Sequence, residues 1–223
     1  MDYDWNFRIF LPYLQAFERG TWVTIELSVL SSFIGTILGV ALAPALRSPY
    51  FGWAVRLVND VLRAIPLLVL LFFFYYFPYK QILGIEPPGA FVAAVAALTL
   101  AQTNFTADVV RSAIDGVSKK TIMAARALGL REMTIWWHII LPDVTRQVLP
   151  TMMAFYIGNI KLSSLAAIIG CEEVVFVARL AVGQTYRTFE AWVLVALIYI
   201  MLVLPCTILA TKLEKSQWLL RRS

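Results

Sequence analysis

Lys161 is the residue with most to explain. It stands in the run Asn159-Ile160-Lys161-Leu162-Ser163-Ser164, inside an otherwise apolar stretch, and a second polar run, Gln102-Thr103-Asn104, interrupts another. A charge within a membrane span costs about 2.5 to 3.5 kcal/mol on insertion scales, so it needs a partner or a purpose. Two readings are open. In one, Asn104, Asn159, Lys161, Ser163 and Ser164 line a path for a zwitterionic solute, donating to its carboxylate and accepting from its ammonium. In the other they hydrogen-bond between helices while the lysine snorkels to the surface. Chemistry that makes or breaks bonds has far less to work with. His138 is the sole histidine and sits beside Trp136 and Trp137, so it reads as interfacial, and a metal site or a Ser-His-Asp triad would have to be built on it alone. No Gly-x-x-x-x-Gly-Lys-Ser/Thr loop occurs: Gly84 and Gly89 have the spacing but Ala90 follows, and the chain has no phosphate cradle of that kind. Asp108 and Arg111, three residues apart, read as a pair. The expectation is a non-catalytic chain with no metal and no cofactor of its own.

The elements that must position these residues are membrane helices. Hydrophobic residues make up 60% of the chain and charged ones 15%, with mean hydropathy +0.75, far from the roughly 25% charge of globular domains. Five charge-free stretches approach the roughly 20 residues a bilayer core requires: Leu27 to Leu46, Ala64 to Tyr79, Pro87 to Ala107, Val148 to Ile160 continuing past Lys161 to Gly170, and Ala191 to Thr211. The second is short and is extended back through Val55 to Leu62, at the expense of Arg56, Asp60 and Arg63. The expected fold is an all-α membrane protein of five spans, residues 1–223 forming one domain. With the C-terminus cytoplasmic and the N-terminus outside, thirteen Lys/Arg fall on inner segments and five on outer ones, Lys161 being left in the membrane; this is the arrangement the positive-inside rule favours. Net charge +5 then reflects topology and anionic lipid, with no nucleic acid partner. Trp22, Trp53, Trp136, Trp137, Trp192 and Trp218 lie near span ends, where indoles prefer the headgroup layer. Gly35 and Gly39 form a close-packing face. Cys171 and Cys206 differ in depth and read as free thiols. Met1 to Gly20 has no basic start followed by an apolar core, so the first span serves for insertion.

Between spans three and four runs the only sizeable polar segment, 111–146. Ile122, Ala125, Leu128, Met133, Trp136 and Trp137 recur at helical spacing, while Lys119, Lys120, Arg126, Arg131 and Glu132 take the other face. Ser118 caps a first helix and Gly129 ends it in the left-handed region. A second short helix then reaches Leu141-Pro142, where proline restarts the chain. Ala124, Ala125 and Ala127 keep the first helix thin, able to enter a partner's cleft; an amphipathic hairpin lying on lipid is the other reading.

Ala124-Ala125, three residues, Gly129, nine residues, then Ile139-x-Leu141-Pro142 resembles the Glu-Ala-Ala loop of permease subunits in ATP-binding-cassette importers. "VLRAIPLLVLLFFFYY", "FTADVVRSAIDGVSK" and "IKLSSLAAIIG" are similar to segments of the polar amino acid subfamily, of the histidine, glutamine and glutamate permease type. The chain departs from the pattern where Met123 replaces the loop's glutamate, Lys120-Thr121 replaces Gly-Gln, and Leu162-Ser163 replaces Asp-Thr. The resemblance implies that Met123, Ala124, Ala125, Ala127, Leu128, Gly129 and Leu130 form the coupling helix docking on an ATPase subunit that holds ATP and Mg. It implies a second permease subunit, with a heteromer favoured because of Met123, and a periplasmic or extracellular substrate-binding protein that docks near Glu172 and Glu173. It also implies residence in a bacterial inner membrane. The alternative is a gradient-driven secondary transporter or channel, which commonly shows two inverted repeats that this chain lacks.

Overall fold

In the computed structural model, residues 4–220 are described, with side chains to Lys212. Lys215, Trp218, Arg221 and Arg222, counted above for charge and borders, lie outside the described side chains. A 3-10 segment, Phe7–Tyr13, leads into α1 (Leu14–Leu46), which packs along α5 (Ala90–Gly116) to form the central pair. The Gly-x-x-x-Gly face makes this possible. A Cβ at Gly35 would lie 2.5 Å from Gln102 Cβ, and one at Gly39 would lie 2.5 Å from Thr106 Cβ and 2.7 Å from the Thr103 carbonyl. Thr24, Ser28 and Ser31, buried in α1, donate to carbonyls four residues back, so the helix satisfies its own hydroxyls.

The second span differs from the expected continuous segment. Two helices, α2 (Gly52–Ala64) and α3 (Leu67–Tyr76), meet at an angle of 94°. Pro66 pushes the preceding Ile65 into extended backbone (φ −78°, ψ 122°) and cannot donate to the helix before it. Helix α2 is amphipathic and keeps its charges on the surface: Arg56 donates to the Leu46 carbonyl at 2.7 Å, and Arg63 pairs with Asp108 of α5. Helix α3 rises only about 15 Å, half a bilayer core, and a short α4 (Tyr79–Leu83) follows it before α5.

After α5 come α6 (Lys119–Ala127) and α7 (Glu132–Ile135). Pro142 does not break the chain here. Helix continues from Glu132 to Ile169, because the turn Trp136–Ile140 widens into a π-helix in which the Leu141 N–H reaches the Trp136 carbonyl. The wider turn makes room for the proline ring near the start of α8 (Leu141–Leu162). The segment tightens to 3-10 geometry over Ser163–Ile169 and stops at Gly170, φ +84°. At 38 residues it exceeds any bilayer core, and its charged first turns, through Arg146, project beyond the apolar part.

A further apolar helix, α9 (Val174–Thr185), was not anticipated; it packs with Phe10, Phe17, Ala191 and Val195 at the end of the molecule opposite the loop. Helix α10 (Thr188–Leu220) closes the chain. Only 11% of its most apolar window is buried within the protein, an inside-out pattern that suits lipid or another subunit as the outer cover.

Candidate functional site

The loop segment is built by three devices. Ser118 Oγ accepts from the Thr121 N–H at 3.3 Å and caps α6. At the other end Gly129 adopts φ +75°; its N–H bonds the Arg126 carbonyl at 2.9 Å and the Leu130 N–H bonds the Ala125 carbonyl at 3.2 Å. That is a Schellman closure, and its left-handed residue carries no Cβ penalty because it is glycine. Across the turn Arg126 grips Glu132 with both arms, Nε to Oε1 at 2.6 Å and a second nitrogen to Oε2 at 3.1 Å. The pair holds the Glu132 carboxyl below its ordinary value of 4.5 and raises Arg126.

The apolar face expected of this segment divides in two. Ala125 is 4% exposed and packs with Ala113, Val117, Ile135, Ile140 and Val144, binding α6 to its own protein. Leu128, 81% exposed, and Met133, Trp136 and Trp137 point away from that core. Helical periodicity places residues on one stripe only while the helix is continuous; the reversal at Gly129 re-aims everything after it, and Ile135 takes the inward position instead. On α6 itself Met123, Ala124, Ala127 and Leu128 are exposed, with Gly129 and Leu130 following.

The polar residues within the spans occupy different environments. Asn159 is buried and donates to Ser31 Oγ (2.8 Å), Ser32 Oγ (2.9 Å) and the Ser28 carbonyl (3.3 Å), fastening α8 to α1. Asn104 is buried on α5, its amide nitrogen without a partner among the described residues. Ser163 is buried and donates to the Ile160 carbonyl at 2.8 Å; Ser164, half-buried, donates to that of Lys161 at 2.7 Å. Lys161 is exposed, and no carboxylate among the described residues lies within ion-pair distance of it. None of these five residues lines the opening beside the loop. A cavity of about 490 Å³, of mixed polar and apolar lining, opens between α2, α5 and α8 near the loop, where Arg63, Asp108, Ser112, Gln147 and Thr151 meet Phe105, Val109 and Ala113. In the sequence its Asp108 reads only as the partner of Arg111, with no cavity indicated there. Phe105, in its wall, stacks on Phe155 with centroids 3.8 Å apart.

Asp108 pairs with Arg111 at 3.3 Å, as their spacing suggests, and also with Arg63. Arg111 reaches Asp115 at 3.7 Å, and Asp115 holds Arg47 at 2.9 Å. One chain of charges thus joins α1, α2 and α5 beside the loop. At the far end Glu173 offers no docking face: it is fully buried, accepts from the Phe176 N–H at 2.9 Å as the cap of α9, and receives the Tyr199 hydroxyl at 3.3 Å and Thr24 Oγ1 at 3.4 Å. A carboxylate ending an apolar helix is best satisfied by that helix's free N–H groups. Glu172 alone remains on the surface.

Comparison with known proteins agrees with this architecture. Residues 35–218 match the family described as binding-protein-dependent transport system inner membrane component. A probable amino-acid ABC transporter permease of Vibrio harveyi is 34% identical over 89% of this chain and 89% of its own length. An arginine transport system permease of Bacillus subtilis is 30% identical over 94% and 96%. Among solved structures, a crystal structure of an amino acid ABC transporter with histidines superposes with TM-score 0.86 at 27% identity, covering 96% of this chain and 100% of that one. An inward-facing methionine ABC transporter shares the fold at TM-score 0.75 and 20% identity, covering 93% and 98%. Multi-pass, apolar and built around the loop whose spacing first suggested it, the chain belongs to the family of inner-membrane components of binding-protein-dependent transport systems, the ATP-binding-cassette permeases.

Proposed function

We propose that this chain is a permease subunit of an ATP-driven importer of amino acids or related small polar solutes. It sits in a bacterial inner membrane with its N-terminus outside and its C-terminus cytoplasmic. The observation that carries the reading is the outward-facing surface of α6, with Met123, Ala124, Ala127 and Leu128 exposed between a capped start and a Schellman stop. A membrane protein gains nothing by holding such a surface in water unless something seats on it. An ATPase subunit docks there, and ATP and Mg bind on that subunit. Met123 through Leu130 form the coupling contact, Ala125 acting from behind as the residue that anchors it.

Five spans are too few to enclose a path, so a second permease subunit completes it. Met123 in place of the family glutamate favours a different chain that retains the carboxylate. A substrate-binding protein delivers solute to the outer face. Lys161, exposed and with no carboxylate among the described residues within ion-pair distance, and Ser164 beside it are the residues we assign to solute contact; behind them Asn159 fastens α8 to α1, and Asn104 and Ser163 lie buried. The relatives named for amino acids support this solute class. Purification of the tagged chain under mild detergent tests the reading: an ATPase of roughly domain size should accompany it, and Leu128→Asp should release that ATPase without loss of membrane insertion. A chain that transports with no ATPase attached returns the secondary-transporter alternative.

A further inference from the structure

Because α6 turns Ala125 and Ile122 toward its own protein, Lys120, Met123 and Ala127, at i, i+3 and i+7, occupy the opposite side. Met123 is 60% exposed, and Leu128 projects further at a turn that the Schellman closure makes rigid. Charge around this apolar pair is one-sided. Arg126 and Glu132 neutralise each other. Lys119, Lys120 and Arg131 are exposed, and none is within ion-pair distance of a carboxylate among the described residues. Lys119 and Lys120 also fall in the first turn of α6, which has no acidic residue, and cations there oppose the helix dipole. The chain bears a local cost with no local compensation, a pattern typical of surfaces shaped for something outside the fold.

We propose that the surface receiving α6 is apolar at its centre, where Met123 and Leu128 seat, and acidic at its rim, opposite Lys119, Lys120 and Arg131. The proposal rests on α6 being the ATPase contact and adds the chemistry of that partner, a cleft carrying carboxylates. Rim cations of this kind steer encounter and fix orientation, and their effect weakens as salt screens them.

The test titrates the ATPase subunit that co-purifies with this chain onto the chain in phosphatidylcholine nanodiscs, at low and high salt. Lys119→Glu with Lys120→Glu should weaken binding about tenfold or more at low salt, and the milder Lys119→Gln with Lys120→Gln about threefold. Met123→Glu should also weaken it, Met123→Leu should bind within about twofold of wild type, and wild-type affinity should fall with salt more steeply than that of the double reversal. Tryptophan fluorescence from Trp136 and Trp137 checks that the loop keeps its fold. Tighter binding by Met123→Glu, or undiminished binding by the double reversal, overturns the acidic rim. So does a double reversal whose only effect is lost loop protection in phosphatidylglycerol nanodiscs, which assigns the cations to lipid. Leu128→Asp separates the two levels: if it alone weakens binding, the ATPase contact stands and the acidic rim falls; if it binds like wild type, the docking assignment itself fails.

Discussion

Ala125 faces its own protein, and that orientation decides what a charge there does. Ala125→Asp places a carboxylate among Ala113, Val117, Ile135 and Ile140, at a cost of about 3 kcal/mol or more if it stays ionised. The loop of Ala125→Asp should therefore become sensitive to protease before any question of docking arises. Leu128→Asp, on an exposed position, should leave the loop as resistant as wild type while releasing the ATPase. Limited proteolysis beside a pull-down distinguishes them; equal protease resistance in both variants would contradict the inward placement of Ala125. The Arg126–Glu132 pair carries a pH signature. Glu132 is shifted below its ordinary 4.5, so its contribution is present above that value and is lost as pH falls below it through the depressed pKa. Arg126 is shifted upward and stays charged throughout. Glu132→Gln should thus loosen the loop at pH 7, and the gap from wild type should close once the solution is acidic enough to protonate Glu132, as hydrogen exchange across 126–132 can follow.

At the scale of elements, Gly39 is one of two points where α1 lies tight against α5, and Gly39→Ala must displace both the Thr106 side chain and the Thr103 carbonyl. It should destabilise by about 1 to 3 kcal/mol. Gly158→Ala, with nothing within 4 Å of the added carbon, should be neutral or slightly stabilising, since alanine favours helix. Thermal unfolding of the two in one detergent compares them directly, and equal melting points would deny the close approach. This face was legible in advance because Gly-x-x-x-Gly has one common use between membrane helices. So were the cap at Ser118 and the stop at Gly129, whose side-chain chemistry acts locally. The bend at Pro66 was not, because hydropathy sums apolar residues across a proline without saying whether the axis turns. Helix α9 was hidden for a different reason: Arg179 interrupts a segment too short to span, yet its apolar side finds Phe10 and Phe17 far away in the chain. The cavity beside the loop depends on α5 and α8 lying side by side, and a single sequence says nothing about which helices are neighbours.

At the scale of the molecule, the chain reads as half of something. Its last helix buries little of its most apolar window, Lys161 has no counter-charge among the described residues, and the surface of α6 proposed for coupling is exposed. Lipid can cover the first; under the proposed function a partner permease with its solute and an ATPase cover the other two. If Lys161 meets the solute carboxylate, Lys161→Met should weaken uptake by about tenfold or more, the order of a lost charge-assisted hydrogen bond, while the ATPase still assembles. An unchanged ranking of acidic, neutral and basic amino acids in that variant would return Lys161 to a structural role. The most direct test of the whole account is uptake by vesicles holding this chain with its partner permease, ATPase and binding protein, with ATP inside or outside and with or without an imposed ion gradient. The account predicts accumulation of an amino acid that requires ATP on the side of α6, is abolished by Leu128→Asp, and ignores the gradient; accumulation that follows the gradient and persists without ATP would contradict it.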